Sequence, residues 1–564
     1  LNPKGPIAVT NTFPKPFRNQ LSYDIFNNKY KHEGAETWEE LCRTLVEEVV
    51  KDRMPKNEKE TLIRFMSEMK FIPGGRYLYY AGRPNKYYNN CYLLKAEEDT
   101  KEDWADLAWR VTRCLMTGGG IGVDYSVYRP EGSPIKGAGG YATGPMATMY
   151  MINEIGRNVM QGGSRRSAIY GSLNWQHGDI EKFLKVKDWN DLPIGHTGET
   201  YGSVRARDPN FPCALDMTNI SVNYDTKWIE QAKTGDLGDV FLTNVKKAIT
   251  TGEPGFSFNF YDKEKETLRN ACCEVTSEDD SDVCNLGSLN LSRIGTLDEF
   301  KSVVELATKF LLCGTLEAKL PYDKVAKVRE KNRRLGLGLM GIHEWLIQRK
   351  AKYEVTPELH NWLAVYRDVS NNTSRNFATK LGVSVPVANR SIAPTGTIGL
   401  IAGTTSGIEP IYSVAYKRRY LNNNNRWVNT YGVDFMAQEM IDLYGVDPDS
   451  IETASDLAND YERRIKFQAD VQDYVDMAIS STINLPSAPS GGHSDDYVAK
   501  FASTLASYAP RLRGFTCYPD GARGGQPLTV VPYEEAKGKL GQTFEEHIEF
   551  HDACDIRGGG FCGT

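Results

Sequence analysis

Residues 270–292 read NACCEVTSEDDSDVCNLGSLNLS, and this stretch carries more chemistry than any other in the chain. Asn270, Cys272 and Glu274 stand at period two, so in an extended loop their side chains project to one side while Cys273 faces the other. An amide that can orient hydroxyls, a thiol that can act as nucleophile or radical, and a carboxylate that can act as a base would then converge. A surface loop carries the same pattern, so the triplet alone decides nothing. Twelve residues beyond Cys272, Cys284 opens the strand-like run VCNLGSLNLS, and far upstream Cys91 sits in a similar setting, YYNNCYLL.

The whole chain bounds what such a cluster could do. At 564 residues it is several times a typical domain length, which excludes a small binding module and predicts several domains or one large α/β barrel with additions. Apolar residues make up 40% and charged residues 25%, with 51 glycines besides, an ordinary balance that excludes a disordered or fibrous chain. No apolar run approaches the roughly 18 residues of a spanning helix, and no cationic-then-apolar leader pattern is present. The sequence therefore predicts a soluble, cytoplasmic protein without a membrane partner. A net charge of −6 argues against a nucleic-acid polymer as partner while leaving room for a local anion pocket. The cysteines number 11, too few for a disulfide scaffold, odd in count and without a Cys-x-x-Cys pair. No metal site is predicted, and redox or radical chemistry is the natural use of a cysteine cluster. Cys42, Cys114, Cys213 and Cys313 are expected to be buried small hydrophobes.

Along the chain, residues 36–70 read as helices, and glycine density rises sharply from 71 to 180, where backbone must approach a ligand or another backbone. One helix is expected near 226–250, and α/β alternation without a fixed repeat continues to about 530. Gly336-x-Gly338-x-x-Gly341 fits a dinucleotide fingerprint by letter but follows the basic stretch EKNRR, so a packed helix is expected there. His547 and His551, near Cys554, fall among Glu545, Glu546 and Glu549 and read as an acidic helix rather than a zinc site. The divisions expected are an N-terminal helical segment over 1–70, a catalytic unit over 71–530 and a flexible tail over 531–564.

The three cysteine contexts, in this order, resemble the catalytic subunit of ribonucleotide reductase. So do TGGGIGVDYSVYRPEGSPIKG (117–137), QGGSRRSA (161–168), NRRLGLGLMG (332–341), APTGTIG (393–399) and GFTCYPDGARGGQPL (514–528). The resemblance implies a ten-stranded α/β barrel of two antiparallel half-barrels with a central finger loop around Cys272. It implies that Cys272 is the thiyl-radical position, that Glu274 accepts the 3′-hydroxyl proton and that Asn270 holds the hydroxyls. Cys91 and Cys284 match the pair that is oxidised to a disulfide as the ribonucleotide substrate loses its 2′-hydroxyl. Pro394, Thr395, Gly396, Thr397 and Ile398 match the substrate-phosphate loop; Arg129 and Lys136, with Glu98 or Asp99, match the site of a deoxynucleoside triphosphate effector.

The same resemblance bears on cofactor and partners. GFTCYPDGARGG has only Tyr518 where relatives served by a ferritin-like subunit carry adjacent tyrosines, and TCYPDGARGGQPL looks most like the adenosylcobalamin-dependent (class II) type. Two alternatives stay open: the same fold with its radical from a ferritin-like metal subunit, and a non-catalytic nucleotide-binding regulator. The 181 positions from Cys91 to Cys272 leave little room for the insertion of monomeric relatives, so a homodimer is expected. The stretch before Glu36 is too short for the family's ATP-cone, so overall on/off control by ATP and dATP is expected to be absent. Cys554 and Cys562, with three glycines between them, are expected to shuttle electrons from a thioredoxin- or glutaredoxin-like reductant.

Overall fold

The computed structural model describes residues 13–159, 167–208, 210–421, 427–522 and 528–545. Sixteen strands are present among them: β1 (Phe71–Pro73), β2 (Cys91–Lys95), β3 (Gly120–Asp124), β4 (Ile169–Asn174), β5 (Thr218–Tyr224), β6 (Gly255–Phe258), β7 (Leu268–Arg269), β8 (Thr276–Ser277), β9 (Asp282–Asn290), β10 (Leu335–Met340), β11 (Ala415–Leu421), β12 (Trp427–Val433), β13 (Thr482–Leu485), β14 (Gly514–Pro519), β15 (Leu528–Val530) and β16 (Thr543–Glu545). Ten of them form one mixed sheet with helices packed against it. Strands β2 to β6 are parallel neighbours in sequence order. On one side β2 meets β9 antiparallel, and β9 continues parallel to β10; on the other, β6 meets β14 antiparallel, and β14 continues parallel to β13. Single parallel bridges run from Leu337 of β10 to Arg390 and from Ile392 to Ile479, just ahead of β13.

Local sequence explains much of this. Thr37 and Glu40 form a reciprocal capping box that starts the helix Trp38–Val50, whose Leu41, Leu45 and Val49 are fully buried. The helix expected near 226–250 is two, Thr226–Lys233 and Asp239–Thr251, because Gly235 and Gly238 between them take positive φ. Gly336 and Gly338 lie on strand β10 and not on a helix, which corrects the expectation. A Cβ on Gly338 would stand 2.6 Å from the Ser391 carbonyl oxygen, so glycine lets the next segment lie close.

The boundary expected at 530 also moves. Strands β15 and β16 join β11 and β12 in a four-stranded sheet, and Tyr533, on the short helix Tyr533–Lys537 between them, is buried, so regular structure continues to residue 545. Short charged segments gain order there by adding strands to an existing hairpin.

Three apolar clusters make up most of the core. One joins the N-terminal helices to β10 and to the helices Leu297–Glu317 and Pro357–Leu381; another packs helices onto β2–β6. The third is small and gathers Cys91, Leu93, Leu268, Val275, Cys284, Leu286 and Met477. Cys42, Cys114, Cys213 and Cys313 are all buried, as small hydrophobes should be.

Candidate active site

The antiparallel register of β2 and β9 sets Cys91 directly opposite Cys284. Such pairs hold their Cα atoms about 4.5–5.5 Å apart, within the span a disulfide needs. Both thiols are buried, and that burial raises both pKa values well above the ordinary cysteine range, so both remain protonated. The start of β9 is fixed by Asp282, whose Oδ2 accepts from Arg334 at 2.7 Å, Ser277 at 2.6 Å and Asn332 at 2.9 Å.

Strands β7 and β8 form a small hairpin, Leu268 opposite Ser277 and Arg269 opposite Thr276, whose tip carries residues 270–275. The tip is a turn and not the extended loop that period two suggested. The Cys273 amide donates to the Asn270 carbonyl at 3.0 Å, and Cys273 takes φ +69. Asn270 and Glu274 nevertheless converge, on Cys91: Asn270 Nδ2 donates to its Sγ at 3.0 Å, and that thiol approaches Glu274 Oε1 at 3.9 Å. Asn270 Oδ1 accepts from the Val275 amide at 2.9 Å, which fixes the amide's orientation. Burial pushes the Glu274 carboxyl up to about 7 against the opposing pull of Asn270 and Cys91, and its Oε2 has no hydrogen-bond partner. A buried carboxyl with one vacant oxygen and a pKa near neutrality is suited to exchanging a proton with a bound hydroxyl.

Two devices seat this tip. Strand β3 has glycines where the loop passes: a Cβ on Gly122 would fall on the Arg269 carbonyl oxygen, and one on Gly120 would stand 2.8 Å from the Ala271 Cβ. Arg269, fully buried at the root, donates to Asn259 Oδ1 at 2.8 Å and to the Arg513 carbonyl at 3.0 Å. Burial, then the neighbouring Arg513, lowers its pKa to about 10. Sequence reading missed Arg269, because its partners lie elsewhere in the chain.

A cleft of about 350 Å³ opens on the tip. Exposed Cys272 and half-exposed Cys273 both line it, so Cys273 does not face away as expected; the left-handed turn swings it toward the same space. Burial also pushes the Cys273 thiol up to about 12. Glu253, Ser481 and Tyr518 line the walls, and the buried Ser481 Oγ has no hydrogen-bond partner. Neither Glu253 nor Ser481 stands in a motif that marks it.

The remaining predicted residues divide. Pro394 reaches the cleft, and the helix Gly396–Ala402 follows it. Thr395, at φ +50, turns its hydroxyl inward to accept from the Gly407 amide at 2.8 Å; Ile398 is buried in the core, and Thr397 is partly exposed. Arg129 and Asp99 are joined by an ion pair and by the Arg129 amide donating to Asp99 Oδ2 at 3.1 Å. Glu98 and Lys136 are exposed, Lys136 on a loop closed by the Ile135 amide and the Gly140 carbonyl at 3.0 Å. Cys554, Cys562, His547 and His551 lie outside the described residues. Among those described, no three metal-ligating side chains gather, and no helix is long and apolar enough to cross a membrane.

The structure thus brings together a cross-strand cysteine pair, a neighbouring buried carboxyl and a third cysteine at the rim of a cleft. The family is specific. Residues 89–208, 198–363 and 387–504, well over half of the chain, match the family model described as ribonucleotide reductase, barrel domain, and the chain belongs to that family. It is 27% identical over 547 residues to a vitamin B12-dependent ribonucleoside-diphosphate reductase of Mycobacterium tuberculosis, covering 88% of this chain and 74% of that one. A putative adenosylcobalamin-dependent ribonucleoside-triphosphate reductase of Mycobacterium phage D29 is 23% identical, with 95% and 98% covered. The class Id ribonucleotide reductase alpha subunit of Actinobacillus ureae has the same fold, with a TM-score of 0.69 at 18% identity over 90% of this chain and 98% of that one.

Proposed function

We propose that the chain reduces ribonucleoside di- or triphosphates to 2′-deoxyribonucleotides by thiyl-radical chemistry. The observation that carries the reading is the meeting of Asn270, Glu274 and Cys91 beside Cys284, next to a cleft-lining Cys272. In this reading Cys272 Sγ takes the 3′ hydrogen, Glu274 Oε2 receives the 3′-hydroxyl proton and Asn270 holds the thiol and hydroxyls in place. The C2′–O bond breaks, the oxygen leaves as water, and Cys91 and Cys284 give up two thiol hydrogens as their S–S bond forms. The regulator alternative needs none of these groups. Pro394–Ile398 would take the phosphates, Arg129, Lys136, Glu98 and Asp99 the effector, and Cys554 and Cys562 would return electrons from a thioredoxin-type protein.

The bridges at Arg390 and Ile392 support closure of the sheet into a ten-stranded barrel of two antiparallel halves, with 270–275 as its central loop. Exposed Trp109, Met116 and Tyr150 on the helices Lys101–Met116 and Pro145–Asn158 support a homodimer.

The relatives' names favour adenosylcobalamin as cofactor over a ferritin-like subunit. The residues fit it: Cys272, which a radical source must reach, is exposed, and Gly252, Gly255 and Gly514 leave the cleft beside it without bulk. When bound, adenosylcobalamin supplies the oxidising equivalent that removes the hydrogen atom from Cys272 Sγ. The test is anaerobic turnover with adenosylcobalamin, dithiothreitol and each nucleotide. Cys272→Ser should lower it at least about a thousandfold, the scale for losing a group on which chemistry depends, while nucleotide binding stays near normal. The hydroxyl keeps the size, but its O–H bond is too strong for hydrogen exchange. Wild-type turnover in that variant refutes the proposal.

A further inference from the structure

The short helix Gly396–Ala402 is open at its front and bolted at its rear. At the front, a Cβ on Gly396 would meet nothing within 4 Å, and the preceding Pro394 lines the cleft with Cys272. At the rear, Ser22 Oγ donates to the Leu400 carbonyl at 2.6 Å, Arg293 Nη2 to the Ala402 carbonyl at 3.0 Å and Arg18 Nη1 to the Gly403 carbonyl at 3.0 Å. The last carbonyls of a helix have no partner inside it, and its negative end favours cations, so two guanidiniums and a hydroxyl hold it there.

Arg18 is itself fixed from two other elements. Its Nη1 also donates to Glu344 Oε1 at 2.7 Å and its Nε to Glu439 Oε2 at 2.9 Å; Glu344 is buried and receives Thr404 Oγ1 as well. Gly403, at φ +62, permits the approach: a Cβ there would stand 3.3 Å from the Arg18 Cβ. Four stretches distant in sequence, around residues 18–22, 293, 344 and 439, thus converge behind one helix of seven residues.

We propose that Arg18 and Ser22, together with Arg293, are positioning residues for the nucleotide's phosphates. By fixing the helix along its axis they set where Pro394–Thr397 stands relative to the Cys272 thiol. The inference rests on the reading of Pro394–Ile398 as the phosphate loop. Hydrogen bonds weaken steeply as their distance and angle depart from the optimum, so a small shift of the loop weakens its hold on phosphate, which gives a remote bolt its leverage.

Arg18→Ala would strand Glu344 as a buried charge, so the informative variants are Arg18→Lys, which keeps the charge and loses the fork, and Ser22→Ala. Thr397→Val serves as the reference for the phosphate loop. Steady-state kinetics with the nucleotide are compared with inhibition by the unphosphorylated ribonucleoside, and amide hydrogen exchange is followed over 398–403. Arg18→Lys and Ser22→Ala should each raise the nucleotide KM about five- to tenfold, one hydrogen bond's worth. Turnover at saturation should stay within about twofold, ribonucleoside inhibition should not change, and exchange over 398–403 should quicken. An unchanged nucleotide KM in both, with KM raised in Thr397→Val, overturns the positioning role and leaves the phosphate loop standing. An unchanged KM in all three removes the phosphate-loop reading and this inference with it. Equal weakening toward nucleotide and ribonucleoside marks a general loosening of the fold and also overturns the proposal.

Discussion

The parallel run β2–β6 is bounded by two antiparallel seams, and their surroundings differ. At β2–β9, Cys91, Tyr92 and Leu93 face Cys284, Val283 and Asp282, and every one of these residues is buried. At β6–β14, Phe256 and Ser257 face Phe515 and Gly514, and this seam borders the cleft. One seam is wholly buried and holds the Cys91–Cys284 pair; the other lines the cleft. Between them runs the 270–275 turn, its root bonded to the Arg513 carbonyl just ahead of β14 and its tip to Cys91 on β2. The lesson is a separation of tasks: thiols kept protonated by burial stand on one side, access stands on the other, and a single turn connects them.

The connection should break most completely at Gly122, since any side chain there displaces the Arg269 carbonyl. Gly122→Ala is expected to abolish turnover and to cost stability at the upper end of the roughly 1–3 kcal/mol typical of core overpacking, read by denaturant unfolding. Next comes a paired comparison of buried thiols at the two seams. Cys284→Ser should lower sustained turnover at least about a hundredfold, whereas Cys517→Ser, on β14, should stay within about twofold because that buried thiol belongs to the apolar cluster even though it borders the cleft.

A pH series sharpens the contrast further. Burial raises Glu274 from 4.5 to about 7, so the folded protein binds a proton there that the unfolded chain releases. Its stabilising effect is complete below pH 4.5 and is lost as pH rises through 7. Glu274→Gln should therefore be more stable than the parent above pH 7 by about 3 kcal/mol, and no more stable below pH 4, as thermal melts across pH would record. The same variant should lose most turnover together with the rise of kcat through pH 7. The smallest effect is expected of Cys273→Ser, within a fewfold in turnover, since that side chain makes no hydrogen bond to Asn270, Glu274 or Cys91; a loss comparable with Cys272→Ser would reverse their roles.

Local signals in the sequence carried well where physics is local. The helical reading of residues 36–70 held over Trp38–Val50 and Lys56–Ser67, and the isolated cysteines announced buried positions. Motif order located the dithiol and the Asn270–Glu274 pair, yet the backbone argument for that pair was wrong: a turn with Cys273 at positive φ does what alternation was supposed to do. The basic stretch before Gly336 and Gly338 also misled, because it closes the helix Asp323–Asn332 and the run that follows is a strand buried on both faces. Arg269, Ser481 and the bolt of Arg18 and Ser22 were invisible for a different reason. Each takes its place from neighbours brought from far along the chain, and no spacing rule relates residue 18 to residue 403.

The anchoring of the 270–275 turn has a consequence for the order in which the molecule can be made. Its tip is tied to a residue 179 positions earlier and its root to one 244 positions later. Contacts of such sequence separation are slow to form, because the intervening chain must be closed into a loop before they contribute. During synthesis, the dithiol strands β2 and β9 can pair while the ribosome is still producing residues in the 300s. The turn gains its second anchor only once Arg513 has emerged. Competence should therefore arrive late and abruptly, well after most of the parallel strands have acquired protection from exchange, in pulse-labelled refolding or on stalled nascent chains.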